Sequence, residues 1–169
     1  MPRPPIPEPP YEGGCLCGAV RYRLNDRPLA VYACHCNDCK KLSGATNIRV
    51  VLAARDALSY NGAELAKYRK RADSGREIDI LRCASCGVRL WHEPLSAPEF
   101  VLIAAGTLDQ PGWAAPAAHI WTERAAPGIA FEEDAISIEG QPANRQMLID
   151  AFAKICGNGS VSGGSQDAR

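Results

Sequence analysis

The sequence predicts a mainly β domain, its strands antiparallel, pinned by metal and followed by one C-terminal helix. Three observations carry this. Short β-branched or aromatic runs recur between Gly, Asp, Asn and Pro, one late segment is amphipathic at helical spacing, and most of the 8 cysteines gather in three tight clusters. At 169 residues, with 46% apolar and 22% charged, the chain has the size and composition of one globular domain.

Residues 1–10 read MPRPPIPEPP. They are expected to form an extended, solvated leader, because proline withholds its amide and fixes φ. Ala19–Leu24 alternates apolar and polar residues, the period of a half-buried strand. Ala30–Cys34, Thr46–Leu52, Leu65–Lys70, Glu77–Cys83, Val88–His92 and Phe100–Ala104 continue the series. So many short strands imply an antiparallel architecture. Asn37-Asp38 suits a short turn of helix after Cys36. Asn144 can cap a helix that places Met147, Leu148, Ala151, Phe152 and Ile155 on one face, with Gly157 as its stop. The domain is expected over residues 11–156, and a flexible Gly- and Ser-rich tail over 157–169.

Lys+Arg and Asp+Glu each number 19, giving a formal net charge of +0. That balance offers no electrostatic case for nucleic acid or an acidic membrane as a partner. No window approaches the ~18 continuous apolar residues of a membrane span. The first residues lack the apolar core of an export signal, so a cytoplasmic location is expected. In that reducing compartment, clustered cysteines signify metal or redox chemistry more often than disulfides.

Each cluster has its own ligand arithmetic. On a strand, side chains two apart share a face, so Cys15 and Cys17 can offer two sulfurs to one ion. Cys83-Ala84-Ser85-Cys86-Gly87 is a knuckle turn, with two cysteines flanking a bend and a glycine that tolerates positive φ. Joined, the two pairs complete four thiolates, the type of a structural zinc. Two separate sites, or a mixture with the middle cluster, are the alternatives. Cys34-His35-Cys36-Asn37-Asp38-Cys39 supplies three thiolates within six residues and leaves one tetrahedral position, either open to a ligand or filled from elsewhere. His92, His119 and Cys156 are the candidates for filling it. His35 should point away from the metal if Cys34 and Cys36 face it.

The remaining polar residues read more plainly. His92 and His119 are expected in supporting roles, and Cys156 as a buried, inert thiol. Lys40 and Lys41 form either a solvated pair or an attraction for an anionic ligand. With Arg82 and Arg89 they stand beside ligand positions, where they can offset the charge of the thiolates. Glu132-Glu133-Asp134 reads as a solvated acidic turn.

Four segments together resemble a known family. G-G-C-L-C-G-A-V-R-Y, C-H-C-N-D-C-K-K-L-S-G-A, R-C-A-S-C-G-V-R-L and A-G-T-L-D are similar to the glutathione-dependent formaldehyde-activating enzyme family, which includes centromere protein V. The resemblance runs from about Gly13 to Trp121. At Ala126-Pro127-Gly128 the chain departs from the aromatic residue that many members carry after the proline. The resemblance implies a β-tent fold pinned by two zinc ions. One would be structural, on Cys15, Cys17, Cys83 and Cys86; the other catalytic, on Cys34, Cys36 and Cys39. It further implies a carbon-sulfur lyase-type activity joining glutathione, or a similar thiol, to formaldehyde or another small aldehyde. A non-catalytic thiol-binding or carrier module is the second reading. A methionine sulfoxide reductase, which needs an unligated nucleophilic cysteine, would have Cys156 alone to use.

Overall fold

The computed structural model describes residues 3–72 and 75–158. In chain order the strands are β1 (Tyr11–Gly14), β2 (Val20–Leu24), β3 (Ala30–Cys34), β4 (Ile48–Ala54), β5 (Leu58–Gly62), β6 (Leu65–Arg71), β7 (Glu77–Cys83), β8 (Arg89–Pro94), β9 (Phe100–Ala104), β10 (Ala118–Ile120) and β11 (Ile136–Ile138). Helix α1 (Asn37–Ser43) follows β3, and α2 (Gln146–Asn158) follows β11. The fold is therefore mainly β with a C-terminal helix, as the sequence predicts. A three-stranded sheet runs β1-β2-β5, and an eight-stranded sheet runs β11-β10-β3-β4-β9-β8-β7-β6. The large sheet is antiparallel from β3 to β6, but β10 lies parallel to both β3 and β11. That parallel end is possible because the long passage after β9 carries the chain back across the sheet before β10 begins.

Strand pleating gives the large sheet two distinct faces. Val31, Val51, Ile103 and Trp91 lie in register across β3, β4, β9 and β8 and are all buried. Against Trp91 the small sheet packs Tyr22 edge-on at 6.0 Å and Tyr60 at 5.2 Å between ring centroids. Val20, Tyr22 and Leu24 form the buried stripe of β2, the alternation that the sequence shows. The opposite face carries Tyr32, Val50, Leu52 and Ile80, with α2 alongside β3.

Four strands lie outside the sequence expectation. In β5 only Leu58 is buried, so its composition carries no apolar period. β10 and β11 have three residues each, too few to show one. β1 begins at the end of the proline-rich stretch and contains Gly13-Gly14. In α2, Asn144 Oδ1 accepts from Met147 N at 3.1 Å, the cap expected. Leu148 and Phe152 are buried, but Met147 is exposed rather than on the packed face. The helix continues through Gly157 to Asn158; residues 159–169 of the expected tail lie outside the described residues. The leader is mostly exposed and is tied down by Arg3, which pairs with Asp134 and donates to the carbonyls of Ala115 and Pro116. No helix among the described residues is long and apolar enough to cross a membrane.

The chain makes the last of its three crossings between the sheets at Ala63 and Glu64. There Ala63 N donates to Ala19 O at 2.7 Å, and Ala84 N donates to Glu64 O at 3.4 Å. Gly62, just before this crossing, has φ +104°, and a Cβ built on it would stand 2.1 Å from Ala19 O. Both the backbone conformation and the contact therefore exclude a side chain. Gly62→Ala should cost about 2 kcal/mol or more, seen as a lowered midpoint in thermal or urea unfolding.

Candidate metal centres

Two groups of sulfurs converge among the described residues: Cys15, Cys17, Cys83 and Cys86, and separately Cys34, Cys36 and Cys39, each group within 4.8 Å. The first is assembled by two turns. Cys15 and Cys17 do not lie on a strand, as their spacing suggests. They bracket the bend between β1 and β2, closed by Gly18 N to Cys15 O at 3.1 Å, and Leu16 at its tip is 89% exposed. The knuckle between β7 and β8 is closed by Gly87 N to Cys83 O at 2.9 Å, with Gly87 at φ +73°. The two turns face each other, so Cys15 and Cys17 sulfurs are 3.5 Å apart and Cys17 and Cys83 sulfurs 3.7 Å. Zinc–sulfur bonds of ~2.3 Å at tetrahedral angles imply about 3.8 Å between sulfurs. Val20 N donates to Cys15 Sγ at 3.2 Å, and the amides of Val88 and then Cys17 hold Cys86 down to about 6. Such amides favour thiolates, the form a metal requires.

The trio sits where β3 passes into α1. Cys34 ends the strand and is buried; Cys36 is the N-cap of the helix, its Sγ accepting from Cys39 N at 3.4 Å; Cys39 lies in the first turn. Helix geometry thus turns Cys39 back toward the strand end. Hydrogen bonds from the Cys34 and Cys39 thiols hold Cys36 down to about 2, while the same sharing with Cys36 pushes Cys34 up. Against the hydrogen bond from Cys34, sharing with Cys36 and burial push Cys39 up to about 12, so without a metal the negative charge of the trio sits on Cys36. Arg89, 8% exposed, stands near Cys39 and Cys34, and its Nη1 has no hydrogen-bond partner. A buried cation beside three sulfurs fits a site meant to hold thiolates on a metal, and the donor type suits zinc. His92, His119 and Cys156 belong to neither group, so among the described residues no fourth protein ligand completes the trio.

His35 does point away, as expected, and the destination is specific. Its Nε2 meets His119 Nδ1 at 3.0 Å, and His119 Nε2 meets Glu132 Oε2 at 2.6 Å. The Phe131 ring stacks on His119 at 4.3 Å. His35 N donates to Ile120 O at 3.0 Å, so the backbone and side chain of His35 are both anchored to β10. Burial, with His119 beside it, holds His35 below its ordinary value and hence neutral. The acidic run is a solvated turn at Glu133 and Asp134, which are exposed although Asp134 pairs with Arg3, but not at Glu132, which ends this buried chain. Nothing in the local pattern around Glu132 marks the role, because its partner, His119, lies 13 residues away on β10.

A cavity of about 180 Å³ opens beside the trio, over the face of the large sheet away from the small one. Cys34, Cys36 and Cys39 line it together with Leu42 of α1 and Leu148 of α2. Its floor is largely aliphatic, broken by His92, which burial pushes down to about 3 and whose Nε2 has no partner. Trp121 closes one side from the left-handed region, φ +58°, with Arg124 stacked on its ring at 4.3 Å. Lys40 is not in the cavity; its Nζ donates to Arg124 O at 2.8 Å and ties α1 to that turn. Lys41 is exposed, and Arg82 lies over Tyr68 at 5.9 Å. Cys156 lines a different cleft with Arg3, Arg27 and Phe152, where burial raises its thiol. It cannot serve the trio as a nucleophile.

Comparison with known proteins covers most of this frame. The model of a family described as glutathione-dependent formaldehyde-activating enzyme matches residues 10–124. A protein of Halomonas elongata named "Putative glutathione-dependent formaldehyde-activating enzyme" is 31% identical over 102 residues, covering 58% of this chain. The match spans 65% of that relative's length. A crystal structure of a Rhodobacter sphaeroides protein is 21% identical with a TM-score of 0.47, covering 58% of this chain and 87% of that one.

The two centres should separate under mutation. Cys83→Ser should unfold the protein or lower its melting temperature severely, since a structural zinc contributes on the order of 10 kcal/mol. Cys36→Ser should keep the fold and one metal equivalent. Thermal melting with elemental analysis decides this, and joint loss of both ions in Cys36→Ser would show that the centres are not independent. Glu132→Ala should cost about 1–3 kcal/mol by leaving Nε2 of the buried His119 without its partner, and chelator competition should strip metal from the trio sooner than in the parent protein.

Proposed function

The chain belongs to the glutathione-dependent formaldehyde-activating enzyme family, and from that premise we propose that it joins glutathione, or a similar thiol, to formaldehyde or another small aldehyde, as a carbon-sulfur lyase-type enzyme with two zinc ions. Cys15, Cys17, Cys83 and Cys86 would hold the structural ion, and Cys34, Cys36 and Cys39 the catalytic one. The observation that carries the reading is three sulfurs converging on a cavity with no fourth protein ligand among the described residues. A bound zinc supplies positive charge that keeps an incoming sulfur deprotonated at neutral pH.

The chain's own residues supply the rest. The trio fixes where the thiol sulfur is held, and the cavity gives the aldehyde a place beside it. Such placement is the larger part of catalysis for an addition whose chemistry is easy, because it replaces a chance encounter by a bound pair. Arg89 offsets the negative charge of the thiolates. The His35–His119–Glu132 chain holds the backbone between two of the ligands against β10, so the sulfurs keep their spacing.

Cobalt substitution tests the open position. Adding glutathione to the cobalt form should shift the d–d bands, whereas S-methylglutathione, whose thioether cannot become a thiolate, should leave them unchanged. The same protein must then accelerate hemithioacetal formation above the spontaneous rate, in proportion to its concentration. A band shift without acceleration would identify a thiol-binding or carrier module; neither effect would remove the glutathione reading.

A further inference from the structure

The cavity beside the trio is built for more carbon than formaldehyde contains. Leu52, Leu102, His92 and Ile80 form one cross-strand row over β4, β9, β8 and β7, and side chains in such a row share a face. Val50 extends this floor toward the trio's strand, Ile78 toward the other end, and Leu148 faces it from α2. His92 is neutral, so the row carries no charge. Among the charged lining residues, Asp38 and Lys70 bond to each other, Arg145 stacks on Phe100 at 5.2 Å, and Arg76 and Glu77 are exposed. Volume adds a size. The cavity measures about 180 Å³, and an aliphatic cavity of about 150 Å³ takes up benzene.

Neither named substrate uses such a floor. Formaldehyde has no apolar body to bury. The two carboxylates and the ammonium of glutathione would lose their water on it, and the lining groups able to pair with them, Arg76, Glu77, Gln141 and Arg145, stand outside the floor row. We infer that the cavity receives the body of an apolar aldehyde, either aromatic or aliphatic with about six to eight carbons, whose carbonyl meets the sulfur held at the trio. This inference rests on the addition reading above. In the step, the thiol gives up its proton and its sulfur forms a bond to the carbonyl carbon. The π pair of the C=O bond moves to oxygen, which takes up a proton. All atoms of thiol and aldehyde remain in the hemithioacetal, and no further reactant is consumed.

The test uses the zinc-loaded full chain. Benzyl alcohol, an unreactive phenyl-sized probe, is titrated calorimetrically against methanol as control. The acceleration of glutathione addition is measured for formaldehyde, butanal, hexanal and benzaldehyde, each normalised to its spontaneous rate. Benzyl alcohol should bind, with a negative heat-capacity change, and normalised kcat/KM should rise at least about tenfold from formaldehyde to hexanal or benzaldehyde. Leu102→Gln and Leu42→Gln both alter half-buried cavity residues. Each should raise KM for hexanal with little change in melting temperature. Acceleration confined to formaldehyde, with no binding of benzyl alcohol, would overturn the inference and leave the proposed function standing. Binding of benzyl alcohol without acceleration of any aldehyde would overturn the addition reading, and the aldehyde assignment with it.

Discussion

The sulfurs of Cys17 and Cys83 lie 3.7 Å apart although 66 positions separate them in the chain. Holding them there fixes how the two sheets meet. One turn belongs to the small sheet, between β1 and β2, and the other to the large sheet, between β7 and β8. The last of the chain's three passages between the sheets is at Ala63 and Glu64, whose backbone bonds to both turns. A metal on the four sulfurs would therefore close the corner where the polypeptide itself crosses. Elsewhere the sheets are joined by the chain's two other crossings, after β2 and after β4, and by the packing of Tyr22 and Tyr60 against Trp91, which orients the sheets but specifies no single angle as a tetrahedron does.

Once that corner is set, the large sheet divides its two faces between different tasks. Val31, Val51, Ile103 and Trp91 serve the core with the small sheet, while the alternate residues Tyr32, Val50 and Leu102 line the cavity. The same pleat separates Cys34 from His35. Cys34 joins the cavity side, and His35 goes to the buried polar chain ending at Glu132. Because β10 runs parallel beside β3, Ile120 O can accept from His35 N just where β3 ends. The parallel end of an otherwise antiparallel sheet thus braces the ligand-bearing turn.

How much of this is legible in the sequence depends on the range of each interaction. Cysteine spacing is local, so the three clusters and the outward turn of His35 can be read directly. Asn144 as a cap and the helix after Cys36 are local as well. Strand edges shift by a residue or two. β5 and β11 are edge strands with few buried positions, and β10, internal and buried throughout, has only three residues, so none of them shows an apolar period. The geometry of Cys15 and Cys17 departs from the strand reading for a related reason. Spacing two apart suits a strand, but Gly18 at positive φ bends the chain into a turn that presents the same two sulfurs. Glu132 and the cavity floor lie beyond sequence reading altogether, since each depends on register between strands far apart in the chain.

The two sulfur clusters offer one donor chemistry in different surroundings, as the proposed division between them requires. The four-sulfur group lies at exposed turns, with Cys17 itself exposed, and four ligands leave no position for a substrate. The trio is set at the end of a strand that lines a cavity. Three thiolates on a dication would leave a net negative charge in a mostly apolar place, and such a charge disfavours the approach of a further thiolate. Arg89 answers that problem. It is buried, near Cys34 and Cys39, and its Nη1 is unpartnered. Its cost of burial is offset only when the sulfurs opposite are ionised. A centre neutralised in this way would accept one more sulfur as a thiolate, as the proposed function needs, where an isolated trio of cysteines would resist it.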